Sequence, residues 1–172
     1  MTLSHGSASG SRVRCVKEWV GLLLRLVVGG VWIFAAALKL PDPAQSVAAV
    51  RAYQLLPSSL VTPVGQLLPV IEIVVGLMLV IGLLTRGAAV ISAILFIAFI
   101  IGIASVWARG INIDCGCFGG GGADPDAASQ YPWEIARDAA LLAASLFLAW
   151  LPSTRLSLDS VLFRRTPVPE GS

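Results

Sequence analysis

The sequence predicts an all-α membrane protein, a bundle of four transmembrane helices with its N- and C-termini cytoplasmic. Three observations lead there. The 172-residue chain is 56% hydrophobic and 13% charged, whereas soluble domains run at about 45–50% apolar and about 25% charged. Its mean hydropathy is +0.84. Its apolar residues gather into four runs, at 20–40, 60–84, 87–108 and 135–151, each near the roughly 20 residues that cross a hydrocarbon core. The polar intervals are too short for a separate soluble domain, no internal repeat is present, and nothing points to nucleic acid.

The expected organisation is a disordered cytoplasmic tail at 1–18, a membrane domain at 19–151 and a second cytoplasmic tail at 152–172. Outer loops fall at 41–59 and 109–134. The first run follows Arg12, Arg14 and Lys17 and holds Ala35–Ala37, features shared with signal peptides. It is too long for a cleaved apolar segment and contains Arg25, so it reads as a retained helix. The third run carries no charge and is the most secure. The fourth is short and contains Arg137 and Asp138, so it depends on its neighbours.

Basic residues set the orientation. With the N-terminus inside, that side holds Arg12, Arg14, Lys17, Arg86, Arg155, Arg164 and Arg165. The opposite side holds Arg51 and Arg109, with Lys39 and Arg137 at its margin. Four of the five tryptophans, Trp19, Trp107, Trp133 and Trp150, fall at the ends of runs, where interfacial aromatic belts form.

That topology puts Asp114-Cys115-Gly116-Cys117-Phe118-Gly119 on the outer side, where in a bacterium disulfides persist. Thiols one residue apart close a disulfide only through a sharp bend, which Gly116 permits. Such a strained bond is easily reduced and is characteristic of labile or catalytic disulfides. Gly119 and the glycines after it are expected to keep the loop mobile and open. Cys115 and Cys117 are therefore the candidate redox pair. Attack requires a thiolate, which Asp114 opposes and Arg109 or Arg137 favours.

Charges inside the runs are the second signal, because ionisable groups in hydrocarbon face the interior. Arg25, Gly29, Trp32, Ala36 and Lys39 share one helical face. Glu72 lies near the centre of the second run, a turn after Pro69. Pro69 frees the carbonyl of Gly65, which is tolerated only in a packed or wet interior. Glu72 is expected to pair with Arg25 or Arg137 or to be neutral, either as a buried ion pair that fixes helix packing or as a proton carrier.

The rest is architectural. Ala89/Ala93, Ala139/Ala143 and Ala140/Ala144 have the small-residue spacing that allows close helix contact. Thr85-Arg86 permits only a tight connection, making the second and third helices antiparallel neighbours. Pro41-Asp42-Pro43 resembles a helix start with Asp42 as N-cap, predicting a short surface helix at 44–56 that serves chiefly as a connector, with shielding or presenting the thiol loop as the alternative. His5 sits in a Gly/Ser-rich tail with nothing to mark it as a ligand.

Taken together, Lys39-Leu40-Pro41-Asp42-Pro43, Ala52 to Pro57, Pro69-Val70-Ile71-Glu72 with Gly76, and Asp114 to Gly119 resemble the MauE branch of DoxX-like membrane proteins. The resemblance covers about residues 20–150. It implies a four-helix membrane protein linked to methylamine metabolism and to maturation or export of the disulfide-rich small subunit of methylamine dehydrogenase. It also implies an extracytoplasmic thioredoxin-like partner.

Cys15 stands alone at the cytoplasmic margin, about a membrane thickness from Cys115 and Cys117, which excludes a thiol relay across the membrane within one chain. Exchange with the outer partner remains, as does electron transfer to a quinone in the bundle, the one cofactor left open. Two cysteines and a distant histidine cannot fill a zinc shell, so no metal is expected. A disulfide that only shapes the loop of an assembly or export factor is the non-enzymatic alternative.

Overall fold

The structure, a computed structural model, describes residues 7–150, with side chains described from Val16 onward. His5, the expected tail at 152–172 and the side chain of Cys15 lie outside the described residues. Helix α1 runs Ser7–Lys39, α2 Pro43–Ala52, α3 Ser58–Ile81, α4 Thr85–Ala108 and α5 Ala127–Trp150. Between α4 and α5 lie β1 (Ile113–Asp114) and β2 (Gly122–Ala123), an antiparallel pair with Ile113 opposite Ala123 and Asp114 opposite Gly122.

Val16–Lys39, Ser58–Ile81 and Thr85–Ala108 are long and apolar enough to cross a membrane. Large apolar side chains such as Leu23, Leu67, Ile94 and Ile101 are exposed on them, as expected of helices solvated by lipid rather than water. Helix α1 starts at Ser7, within the stretch expected to be a disordered tail. Extending an existing helix needs no new nucleus, and no proline or capping signal stops it there.

α5 begins at Ala127 rather than near 135. Its start is prepared by Asp124, whose carbonyl accepts the Ala127 N–H at 3.2 Å and whose Oδ1 accepts the Asp126 N–H at 3.0 Å. The first turns carry Gln130 and Glu134, so hydropathy alone places the boundary too late.

α1 packs on α3 and α4 on α5, and lesser contacts of α3 with α4 and of α1 with α5 join the pairs. Gly29 and Gly76 bring α1 and α3 together backbone to backbone. A Cβ on either would lie 2.9 Å from the carbonyl oxygen of the other. The predicted inward face of α1 is buried, Arg25, Trp32, Ala36 and Lys39 included. Trp32 Nε1 donates to Ser92 Oγ at 2.7 Å, Ser92 meets Ser145 at 2.9 Å, and Ser145 donates to Leu141 O at 2.9 Å. This chain ties α1, α4 and α5 through satisfied buried polar groups. Ala89 and Ala93 are buried, whereas Ala139, Ala140 and Ala143 face outward.

Arg25 is not the partner of Glu72. Its Nε donates to Leu79 O at 2.9 Å and its Nη2 to Val80 O at 3.2 Å. These are carbonyls of the last turn of α3, which lack partners within the helix. The helix stops at Ile81 rather than 84 because Gly82 takes φ 78°, returning its N–H to Met78 O at 2.9 Å. Three residues then turn the chain into α4.

Candidate functional site

The thiols lie where the ends of α1 and α4, the short helix α2 and the start of α5 converge on the hairpin. Asp42 caps α2, its Oδ1 accepting the Gln45 N–H at 3.0 Å with Pro43 at the first position. The helix then runs to Ala52, where Tyr53 ends it. Rather than a plain connector, α2 is a cover: a Cβ at Gly116 or Gly121 would come within 2.7 Å of the Ala49 Cβ. Both glycines have positive φ, 65° and 116°, so no other residue fits without strain. The glycine run thus seats the loop against α2 instead of keeping it open.

The hairpin is fastened from several sides. Tyr131 OH accepts the Ile113 N–H at 2.9 Å and lies 2.9 Å from Ile111 O. Tyr53 OH donates to Cys115 O at 2.8 Å. Burial beside the thiols pushes the Tyr53 phenol up, keeping it a donor. Asp114 Oδ1 accepts the Gly116 N–H at 2.8 Å, which forms the turn between the cysteines.

Cys115 and Cys117 are buried, at 8% and 6% exposure, and are not joined by a disulfide. This corrects the expectation of an exposed loop. The Cys117 N–H points at Cys115 Sγ at 3.3 Å, and Cys117 Sγ lies 3.9 Å from Cys115 O. The side-chain hydrogen bond with Cys115, and then burial, hold the Cys117 thiol well above its ordinary range.

The charges around the thiols are placed differently from the sequence expectation. Glu72 pairs with Lys39, Nζ to Oε1 at 2.6 Å, with both side chains buried. Lys39 Nζ also lies 5.5 Å from the centre of the Phe99 ring. Arg137 pairs instead with its neighbour Asp138 at 3.0 Å and covers the Phe118 ring at 4.5 Å. Arg109 turns away from the thiols, its guanidinium donating to Tyr53 O and to Ser105 O. Gly119 packs on Leu38 of α1.

Glu134 was not singled out by its sequence position, yet it lies close enough to Cys115 and Arg137 to interact with both electrostatically. Asp138 and Lys39 both act electrostatically on Cys117. Oxygens Glu72 Oε2, Glu134 Oε2 and Asp138 Oδ2 are buried without hydrogen-bond partners among the described residues. The one sequence signal for Glu134 was its phase, three and four residues before Arg137 and Asp138 on one helix face. Among the described residues, no group of three His, Cys, Asp or Glu side chains is placed to hold a metal.

Comparison with known proteins settles the family. The family described as methylamine utilisation protein MauE matches residues 17–151. The chain belongs to the MauE family. Methylamine utilization protein MauE of Paracoccus denitrificans is 35% identical over 107 residues, covering 62% of this chain and 58% of that relative. The match thus spans under two thirds of that MauE protein's length. No solved structure matches the chain. The MauE match takes in the apolar length of α1, all of α2 to α4, the thiol hairpin and α5. With three helices able to cross a bilayer, the chain is a multi-pass membrane protein of the MauE family.

Proposed function

We propose that this chain is an accessory protein of methylamine utilisation whose Cys115 and Cys117 form a one-sided dithiol, exchanging disulfides during maturation of an exported protein. The observation that carries this reading is the pairing of the thiols. They are unbonded, one residue apart and in direct contact through the Cys117 N–H. In this reading Cys115 attacks a partner disulfide and Cys117 resolves the mixed disulfide. In this reading α5 is the fourth crossing, both termini are cytoplasmic and the hairpin faces the outer side. The partner is a thioredoxin-like protein and the client a disulfide-rich subunit such as the methylamine dehydrogenase small subunit.

Burial of both thiols favours a second reading, an assembly or export factor in which the segment is structural. Trapping separates the two. Cys117→Ser leaves Cys115 unable to resolve a mixed disulfide, so a covalent partner should accumulate on it. Loss of trapping, together with full function of the double Cys→Ser variant, contradicts exchange and leaves the assembly role.

A further inference from the structure

Cys115 and Gly116 of the thiol hairpin border a cavity. It has a volume of about 250 Å³ and lies between α2, α3 and α4. Its walls are Val64 and Leu68 of α3 and Leu95, Ala98 and Phe99 of α4. Its polar lining is Lys39, Ser46, Tyr53 and Cys115, with Ser46 Oγ 3.5 Å from Lys39 O and Tyr53 OH 2.8 Å from Cys115 O. Leu55, Leu56 and Ala98 line it and are exposed, so it opens sideways onto the apolar surface. α3 and α4, although joined by three residues, touch far less than α1 and α3 do.

We propose that this cavity binds a quinone, its ring beside Lys39 and Cys115 and its apolar tail leaving through the side opening. An apolar cavity of about 150 Å³ already holds a benzene ring, so the space suffices for a quinone head. Lys39 has three N–H donors. One is directed to Glu72 at 2.6 Å, which leaves donors for a quinone carbonyl. A lipid-borne acceptor reaches Cys115 through the opening, whereas Ala49 and the glycine run cover the loop from α2.

The step balances. The S–H bonds of Cys115 and Cys117 break and one S–S bond forms. Two electrons and two protons pass to the quinone oxygens, giving one quinol per disulfide. The inference rests on the dithiol reading, because only a redox-active pair has electrons to deliver.

The test uses the full chain in lipid nanodiscs, an aryl-azide ubiquinone analogue as photolabel and decylubiquinone as competitor. Labelling should map to segments 64–69 and 95–102 and be competed away. Ala98→Phe and, as a second variant, Val64→Phe should each weaken labelling about tenfold while the protein stays monodisperse. The double Cys→Ser variant should form no quinol when reduced protein is mixed anaerobically with decylubiquinone. Uncompeted labelling spread over the lipid face, or labelling unchanged in both Phe variants, overturns the site. Labelling without quinol formation by wild-type protein overturns the redox step alone. Mixed-disulfide trapping without labelling leaves the exchange reading standing and sinks this one.

Discussion

Lys39 Nζ and Glu72 Oε1 meet at 2.6 Å, joining the end of α1 to the middle of α3 with both side chains buried. Two charges removed from solvent in this way are tolerable only together. Their pairing fixes α1 against α3 at the depth where the thiol hairpin and the cavity begin.

Breaking this pair should be costly. Lys39→Met or Glu72→Gln alone is expected to destabilise the protein by about 3–5 kcal/mol, because one buried partner is left uncompensated. The double variant Lys39→Met/Glu72→Leu should recover most of that loss. Denaturant unfolding in detergent checks it, and a double variant as unstable as the singles would show that the residues act separately.

Arg25 should behave as a helix cap rather than as an ion-pair partner. Arg25→Met leaves the carbonyls of Leu79 and Val80 without these donors, a loss of about 1–3 kcal/mol for buried unsatisfied groups. Unfolding of Arg25→Met in the Glu72→Gln background should show additive losses. Strong coupling between the two sites would contradict the assignment.

The hairpin should open when its seat on α2 is spoiled. Gly116→Ala or Gly121→Ala pushes a Cβ into Ala49, and both positions have positive φ. Maleimide alkylation of Cys115 is expected to speed up roughly tenfold through local opening. Adding Ala49→Gly should restore part of the protection, since it removes the clash but not the backbone strain. Alkylation rates unchanged by either alanine would show that the loop is not held there.

Cys117 gives a pH signature. Its thiol is held well above the ordinary range by its hydrogen bond with Cys115 and by burial. Alkylation requires thiolate, so Cys117 in the folded protein should react slowly until well above pH 8.5, roughly the ordinary thiol value. The sign for stability follows. A thiol whose folded pKa is raised binds more protons folded than unfolded, so its contribution is full below the ordinary pKa. It is lost as pH rises from there towards the folded value. Residue-resolved alkylation of the wild-type protein by mass spectrometry, from pH 7 upward, checks this, and a Cys117 that reacts as fast as an ordinary thiol at pH 8 contradicts it.

Much of this architecture was legible in the sequence because it rests on local patterns. Three apolar runs, the inward face shared by Arg25, Trp32 and Lys39, and the Asp42 cap all follow from spacing of a few residues. The partner of Glu72 was not legible. Lys39 is 33 residues away, and only the packing of α1 on α3 selects it over Arg25. Burial of the thiols was missed for the same reason: a glycine run reads as freedom until a residue such as Ala49 is seen to fill the space beside it. Glu134 escaped because its helix starts earlier than hydropathy shows, turning an expected loop carboxylate into a helical one near the thiols.

The most direct measurement is the redox state of Cys115 and Cys117 in living cells. Acid quenching and differential alkylation, read by mass spectrometry, report the reduced and disulfide-bonded fractions. Working thiol chemistry predicts that both forms are populated and that the ratio moves when the exported client is induced or the thioredoxin-like partner is removed. A pair fixed in one form under every condition, in cells where the double Cys→Ser variant matures the client normally, would contradict it.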